Sequence, residues 1–204
     1  TMQEALEISL GINDDSDKSS SLQSISIELA KQGKIDEALA CTKVIIEDSN
    51  KNSALRDISI QLAKQGKLEE ALSCARGISE DFWQSSAFMA ISEELAKQGR
   101  IEQALECAGV ISDDSDMIRA MEYISIEMAQ QGKLESAVKC ARGIIDGRAK
   151  CSALLSITFE LAKRGNWSLA EETGLEISTV CTRFECWGRI TDFIAKHAGW
   201  HEAL

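Results

Sequence analysis

The chain has 204 residues and a formal net charge of −11, with 44% hydrophobic but only 5% aromatic residues. A surface this acidic repels phosphate backbones and anionic membranes over most of its area, which argues against nucleic acid as a partner. No stretch approaches the ~20 apolar residues of a membrane span, so no membrane insertion is expected, and no signal peptide is visible; the cytoplasmic reading comes from Cys41, Cys74, Cys107 and Cys140, which read as reduced.

Taken in chain order, residues 2–13 predict a lone helix, because Glu4-Ala5-Leu6 matches Glu37-Ala38-Leu39 further on. From there a block of about 33 residues recurs. Ser24 to Leu39 reads SISIELAKQGKIDEAL, Asp57 to Leu72 reads DISIQLAKQGKLEEAL, and Ala90 to Leu105 reads AISEELAKQGRIEQAL. Gly132 and Gly165 continue the series, and Ala5, Ala38, Ala71, Ala104, Ala137, Ala170 and Ala203 keep the same step. A short period held in register marks a solenoid, in which each unit buries its apolar face against its neighbours.

One unit shows how the block folds. Ala54, Leu55, Ile58, Leu62 and Ala63 have the spacing of an amphipathic helix, and Gly66 ends it. Leu68, Ala71, Leu72, Ala75 and Ile78 make a second helix, with Glu69 and Glu70 in its first turn, where negative charge suits the helix dipole. Each repeat is thus helix A, a tight turn, helix B and a second turn. The register predicts A helices near 18–32, 51–65, 84–98, 117–131, 150–164 and 183–197, and B helices near 34–47, 67–80, 100–113, 133–146 and 166–179. The fold class is all-α: a single solenoid of stacked antiparallel helix pairs over 1–204, with about twelve helices or helix fragments. The units run 17–49, 50–82, 83–115, 116–148 and 149–181, with partial units 1–16 and 182–204 that leave both ends in mid-repeat. Proline is absent, where the usual ~5% share implies about ten, so Gly, Asp, Ser and Asn make the turns.

In one copy Leu55, Ile58, Ser59, Leu62, Gly66, Leu68, Ala71, Ala75 and Ile78 carry a pattern that resembles the tetratricopeptide-repeat family across essentially the whole chain. The family has small residues where Ser59 and Ala71 fall, so that helices A and B approach closely. This chain keeps them as Ser26, Ser59, Ser92, Ser125 and Thr158, and as the alanine series. The unit here is one residue shorter than the family's. The family's large aromatic in helix A is replaced by Leu29, Leu62, Leu95, Met128 and Leu161, and its terminal proline is missing. The resemblance implies a right-handed superhelix whose A helices line a concave groove, and a protein or peptide bound there. The phrase from Gly33 to Leu39 is also similar to pentatricopeptide repeats, whose arrays bind single-stranded RNA but are commonly basic.

A helical wheel locates the ligand side independently. With Ile58 at the core, Ile60 falls about 200° away, with Arg56 and Lys64 beside it. Its counterparts are Ile27, Glu93, Ile126, Phe159 and Asp192, and those of Lys64 are Lys31, Lys97, Gln130, Lys163 and Lys196. The face opposite the core therefore carries an apolar line edged by lysines. Two readings stand side by side: a binding surface centred on Arg56, Ile60, Lys64, Glu93, Lys97, Ile126, Phe159 and Lys163, or lateral packing between A helices.

Little else carries chemistry. His197 and His201 are four apart, but Gly199 and a turn intervene, so they do not read as a metal site. Cys151, Cys181 and Cys186 lack metal-ligand spacing and read as buried or incidental thiols. Cys41, Cys74, Cys107 and Cys140 lie one repeat apart, too far for disulfides between adjacent helices, and read as reduced core residues. The acidic runs at Asp14–Asp17 and Asp113–Asp116 read as helix caps. Trp83, Trp167, Trp187 and Trp200 read as packing residues. No nucleophile–base pair, phosphate loop or cofactor fingerprint is present. The expected function is a non-enzymatic protein-interaction scaffold that needs no cofactor. RNA binding in the pentatricopeptide manner, or self-association through the open solenoid ends as a regulatory segment of a larger protein, are the alternatives.

Overall fold

The computed structural model describes residues 2–180, and among these it is all helical, with eleven helices and no strand. The A helices are α2 (Asp15–Lys31), α4 (Asp48–Lys64), α6 (Asp81–Lys97), α8 (Asp114–Gln130) and α10 (Gly147–Lys163), each of 17 residues. The B helices are α1 (Met2–Leu10), α3 (Ile35–Thr42), α5 (Leu68–Arg76), α7 (Ile101–Ala108), α9 (Leu134–Arg142) and α11 (Trp167–Val180). The A helix expected at 183–197 lies outside the described residues.

Successive A helices stack side by side into a continuous row. Among the described residues α3, α5, α7 and α9 each pack on the preceding A helix and against the following one, while consecutive B helices do not pack tightly on one another. The molecule is an α-solenoid with a closed A row and a more open B side. One core runs through it from Ile25 to Ile177.

The helix bounds differ from the wheel in an informative way. Each A helix starts three residues earlier than periodicity places it, because an acidic residue in extended conformation opens it. Asp14, Glu47, Glu80, Asp113 and Asp146 have ψ between 120 and 126. The Asp14 carboxylate accepts from the Ser16 and Asp17 N–H groups at 3.0 and 2.9 Å, and Asp113 and Asp146 cap in the same way. The B helices α1, α3, α5, α7 and α9 are shorter than expected, whereas α11 has the expected length. The chain leaves the helix so that Ile45, Ile78, Ile111 and Ile144 turn inward from the connection and fill the core there. Ile78, read from periodicity as helical, is one of these.

The repeated phrase Leu-Ala-Lys-Gln-Gly has a separate task for each residue. Leu62 and Ala63 are buried. Gly66 has φ 78, a left-handed conformation that side chains disfavour. It lets Lys67 N–H donate to Leu62 C=O at 3.0 Å and Gly66 N–H to Ala63 C=O at 3.0 Å, which satisfies two helix-end carbonyls. The glutamine reaches sideways. Gln65, Gln98 and Gln131 each donate from Nε2 to an alanine carbonyl of the preceding A helix, Ala30, Ala63 and Ala96, at 3.3, 3.0 and 2.7 Å. In the last unit Arg164 takes over and donates to Gln130 C=O at 2.6 Å.

The small residues are buried where the helices of each pair pack. Ser26, Ser59, Ser92 and Ser125 are fully buried in the A helices, as are Ala38, Ala71, Ala104 and Ala137 in the B helices. Burying a hydroxyl is costly unless it is bonded, and each serine donates to a carbonyl one turn back in its own helix, Ser59 to Leu55 at 2.7 Å for example.

Candidate interaction surfaces

The outward side of the A row is built from positions three and four apart: Asp57, Ile60, Gln61 and Lys64 in α4, then Ala90, Glu93, Glu94 and Lys97 in α6. The eight residues singled out from the sequence all sit on A helices on this side. Lys64, Lys97 and Lys163 are exposed, whereas Arg56, Ile60, Glu93, Ile126 and Phe159 are half-buried. The apolar line is thus partly covered by neighbouring A helices and partly open.

Lateral contacts account for the covered part. Arg56 donates to Asp57 at 2.7 Å and lies over the Trp83 ring of the next A helix, 5.2 Å from its centre. Lys97 lies 5.3 Å from the Tyr123 ring centre, again on the next A helix. Gln23 donates to Ser53 at 2.9 Å, and Asn50 donates back to Gln23 at 2.7 Å.

Sequence reasoning missed a second line of charge on this face. One position after Ile60 and its counterparts stand Glu28, Gln61, Glu94, Glu127 and Glu160. Glu28 pairs with Lys31 at 3.6 Å, and Glu160 with Lys163 and Arg164 at 3.4 and 2.8 Å. The Arg164 hydrogen bond is the main reason the Glu160 carboxyl is held below the usual carboxylate range. The lysine edge is therefore balanced at Lys31 and Lys163, while Lys64 stands beside Gln61 and Lys97 over the Tyr123 ring. Listing every charge in the 33-residue register, instead of only the lysines, reveals the glutamates. On α6 the Glu93 carboxyl is raised chiefly by burial, with Lys97 and Arg119 pulling it back.

The described cavities lie elsewhere. One of about 560 Å³ is lined by Leu6, Leu10, Leu29, Cys41 and Val44, between α1 and α3. One of about 370 Å³ is lined by Leu105, Gly109, Met121, Gly143 and Ile145, beside the turn into α10. A third of about 360 Å³ lies between the N-terminal halves of α8 and α10, lined by Ser115, Arg119, Glu122, Arg148 and Ser152. None of the three is lined by the eight sequence-derived residues.

The cysteines offer no reactive centre. Cys41, Cys74, Cys107 and Cys140 are free, as their spacing requires. Burial raises all four, and pushes Cys107 up to about 12. Cys151 departs from the thiol reading: it is disulfide-bonded, its partner lying outside the described residues. It occupies the register of Ser19, Asn52 and Ser85, whose side chains bond the turn at the end of their own unit. Cys181, Cys186, His197, His201, Trp187 and Trp200 lie outside the described residues. Of the other tryptophans, Trp83 packs under Arg56, while Trp167 is partly exposed. Among the described residues no group of three or more His, Cys, Asp or Glu is arranged to hold a metal, and no helix is long and apolar enough to cross a membrane.

Comparison with family models, curated proteins and solved structures finds no significant match to this chain. The tetratricopeptide resemblance therefore rests on the residues quoted above.

Proposed function

We propose that this chain is a non-enzymatic protein-interaction scaffold of tetratricopeptide-like kind, binding a peptide or an extended protein segment along the outward side of its A helices. One observation carries the reading. The B helices cover one side of the A row and neighbouring A helices cover the flanks, which leaves a strip through Ile60, Glu93 and Ile126 partly open in consecutive repeats. A partly open apolar line edged by charged residues suits a ligand that contributes a side chain to each repeat.

The test is a random peptide-display selection on the intact chain, followed by affinity measurement for the selected peptides. Ile60→Asp and Ile126→Asp should each weaken binding by about tenfold, roughly 1.4 kcal/mol, with little change in helical dichroism. Unchanged affinity contradicts the placement. Loss of helical signal assigns these residues to inter-repeat packing instead. The cytoplasmic placement rests on the four free thiols of the B helices. The bonded Cys151 argues the other way. Thiol mapping of the protein isolated under alkylating conditions decides between them: an oxidised Cys151 in that sample overturns the placement.

A further inference from the structure

The turns from each B helix to the next A helix form a rim separate from the A face, and most of the exposed apolar side chains lie there. Leu10, Val44, Ile46, Phe82, Val110 and Ile145 are all exposed at these turns, Ile145 by 84% and Phe82 by 65%. The core does not draw on them, since the turn isoleucines at 45, 78, 111 and 144 point inward in their place. The two apolar cavities of the B side open at this rim. Leu10 and Val44 line the larger, and Gly109, Gly143 and Ile145 the smaller.

Carboxylates run along the same rim. Asp14 and Asp15, Glu47 and Asp48, Glu80 and Asp81, and Asp113 and Asp114 stand at four successive turns, with Asp146 at the fifth. In Asp14, Asp113 and Asp146 the helix caps use Oδ1 only, so Oδ2 takes no part in them. The exposed cations nearby, Lys43, Arg76, Arg119, Arg142 and Arg148, are outnumbered, and Arg142 is held by Glu172 and Glu176. Hydrogen bonds fix the spacing of the turns. Ser19 accepts from Glu47 N–H at 3.2 Å, Asn52 accepts from Ser79 N–H at 3.3 Å and donates to Glu80 at 3.0 Å, and Ser85 accepts from Asp113 N–H at 3.2 Å. Single exposed apolar residues are ordinary, but at least one at every described turn, beside apolar cavities, marks a contact surface.

We propose that this rim docks a cationic amphipathic protein segment, whose apolar side chains enter the notches between turns and whose Lys and Arg side chains meet the rim carboxylates. The occupant follows from charge complementarity. An acidic segment, RNA or an anionic membrane would face the same carboxylates with like charge.

The probes are two synthetic peptides of about 18 residues with one helical pattern of leucines, differing only in Lys or Glu at the polar positions. Binding to the isotope-labelled chain is followed by amide chemical shifts and by anisotropy titration. The expected result is binding of the Lys peptide with shifts at residues 44–48, 110–114 and 145–147. The combined variant Val44→Ser, Ile46→Ser, Val110→Ser and Ile145→Ser should weaken it at least tenfold while leaving the dichroism spectrum unchanged, since these side chains are exposed. Equal binding of the Glu peptide overturns the proposal. So do an unchanged affinity in the serine variant, which reduces the effect to net charge alone, shifts confined to the A helices, and no binding of either peptide. Shifts confined to the A helices leave the A-face reading standing, so the two fail separately.

Discussion

At the scale of single residues, the phrase Leu-Ala-Lys-Gln-Gly shows why the repeat keeps its wording. The glycine is the only residue that takes a left-handed φ without strain, and it does so in all five described A-to-B turns, from Gly33 to Gly165. At Gly66 an added Cβ meets nothing within 4 Å, so the cost of Gly66→Ala is conformational alone, about 1–2 kcal/mol, and thermal melting should fall accordingly. Gly66→Asn, which tolerates this conformation better, should recover part of that loss. The cysteines give a second residue-scale prediction. With a thiol raised to about 12, Cys107 is ionised to about one part in ten thousand at pH 8, and it is buried as well. Alkylation of Cys107 by iodoacetamide should proceed only at the rate of unfolding, and rapid labelling of the folded chain would contradict its placement. The glycine stop was legible in the sequence because its geometry is local. The glutamine's task was not, because its partner lies one repeat away.

At the scale of elements, sideways hydrogen bonds join the A helices into a row. Gln98→Ala removes the donor to Ala63 C=O and should cost about 0.5–1.5 kcal/mol by denaturant titration. The same loss should appear at Gln65 and Gln131, because the contact repeats. Between α6 and α8 the charges pull in opposite senses. The Glu93 carboxyl is raised in the folded chain, so its contribution is fully present below its unfolded value and lost as pH rises through the folded one. Glu93→Gln should therefore stabilise the chain at pH 7, with the gain shrinking as pH falls through the ordinary carboxylate range. A gain that persisted in acid would point to packing rather than charge. Helix existence and pairing were readable from the 33-residue step. Helix ends were not. An acidic residue opening α4 and an isoleucine turning inward after α5 have the same periodicity as helical residues, and only the backbone distinguishes them.

At the scale of the whole molecule, the array offers two different surfaces. The A row presents half-buried apolar residues edged by lysines and glutamates, and the turn rim presents exposed ones among carboxylates. The first was legible in the sequence because it lies on one helix face. The second was not, because it gathers residues from connections that a wheel does not describe. Neither surface presents the continuous positive charge that a nucleic-acid backbone needs, so single-stranded RNA should bind weakly and without sequence preference at physiological salt. The central claim is that the A face carries the peptide partner, and amide chemical-shift mapping tests it most directly. A display-selected peptide is titrated into the isotope-labelled chain. The account predicts shifts running through Ile60, Gln61, Lys64, Glu93, Lys97 and Ile126 in consecutive A helices, with the B helices undisturbed. Shifts confined to the B helices or to the turn rim, with these six residues unmoved at saturation, would contradict it.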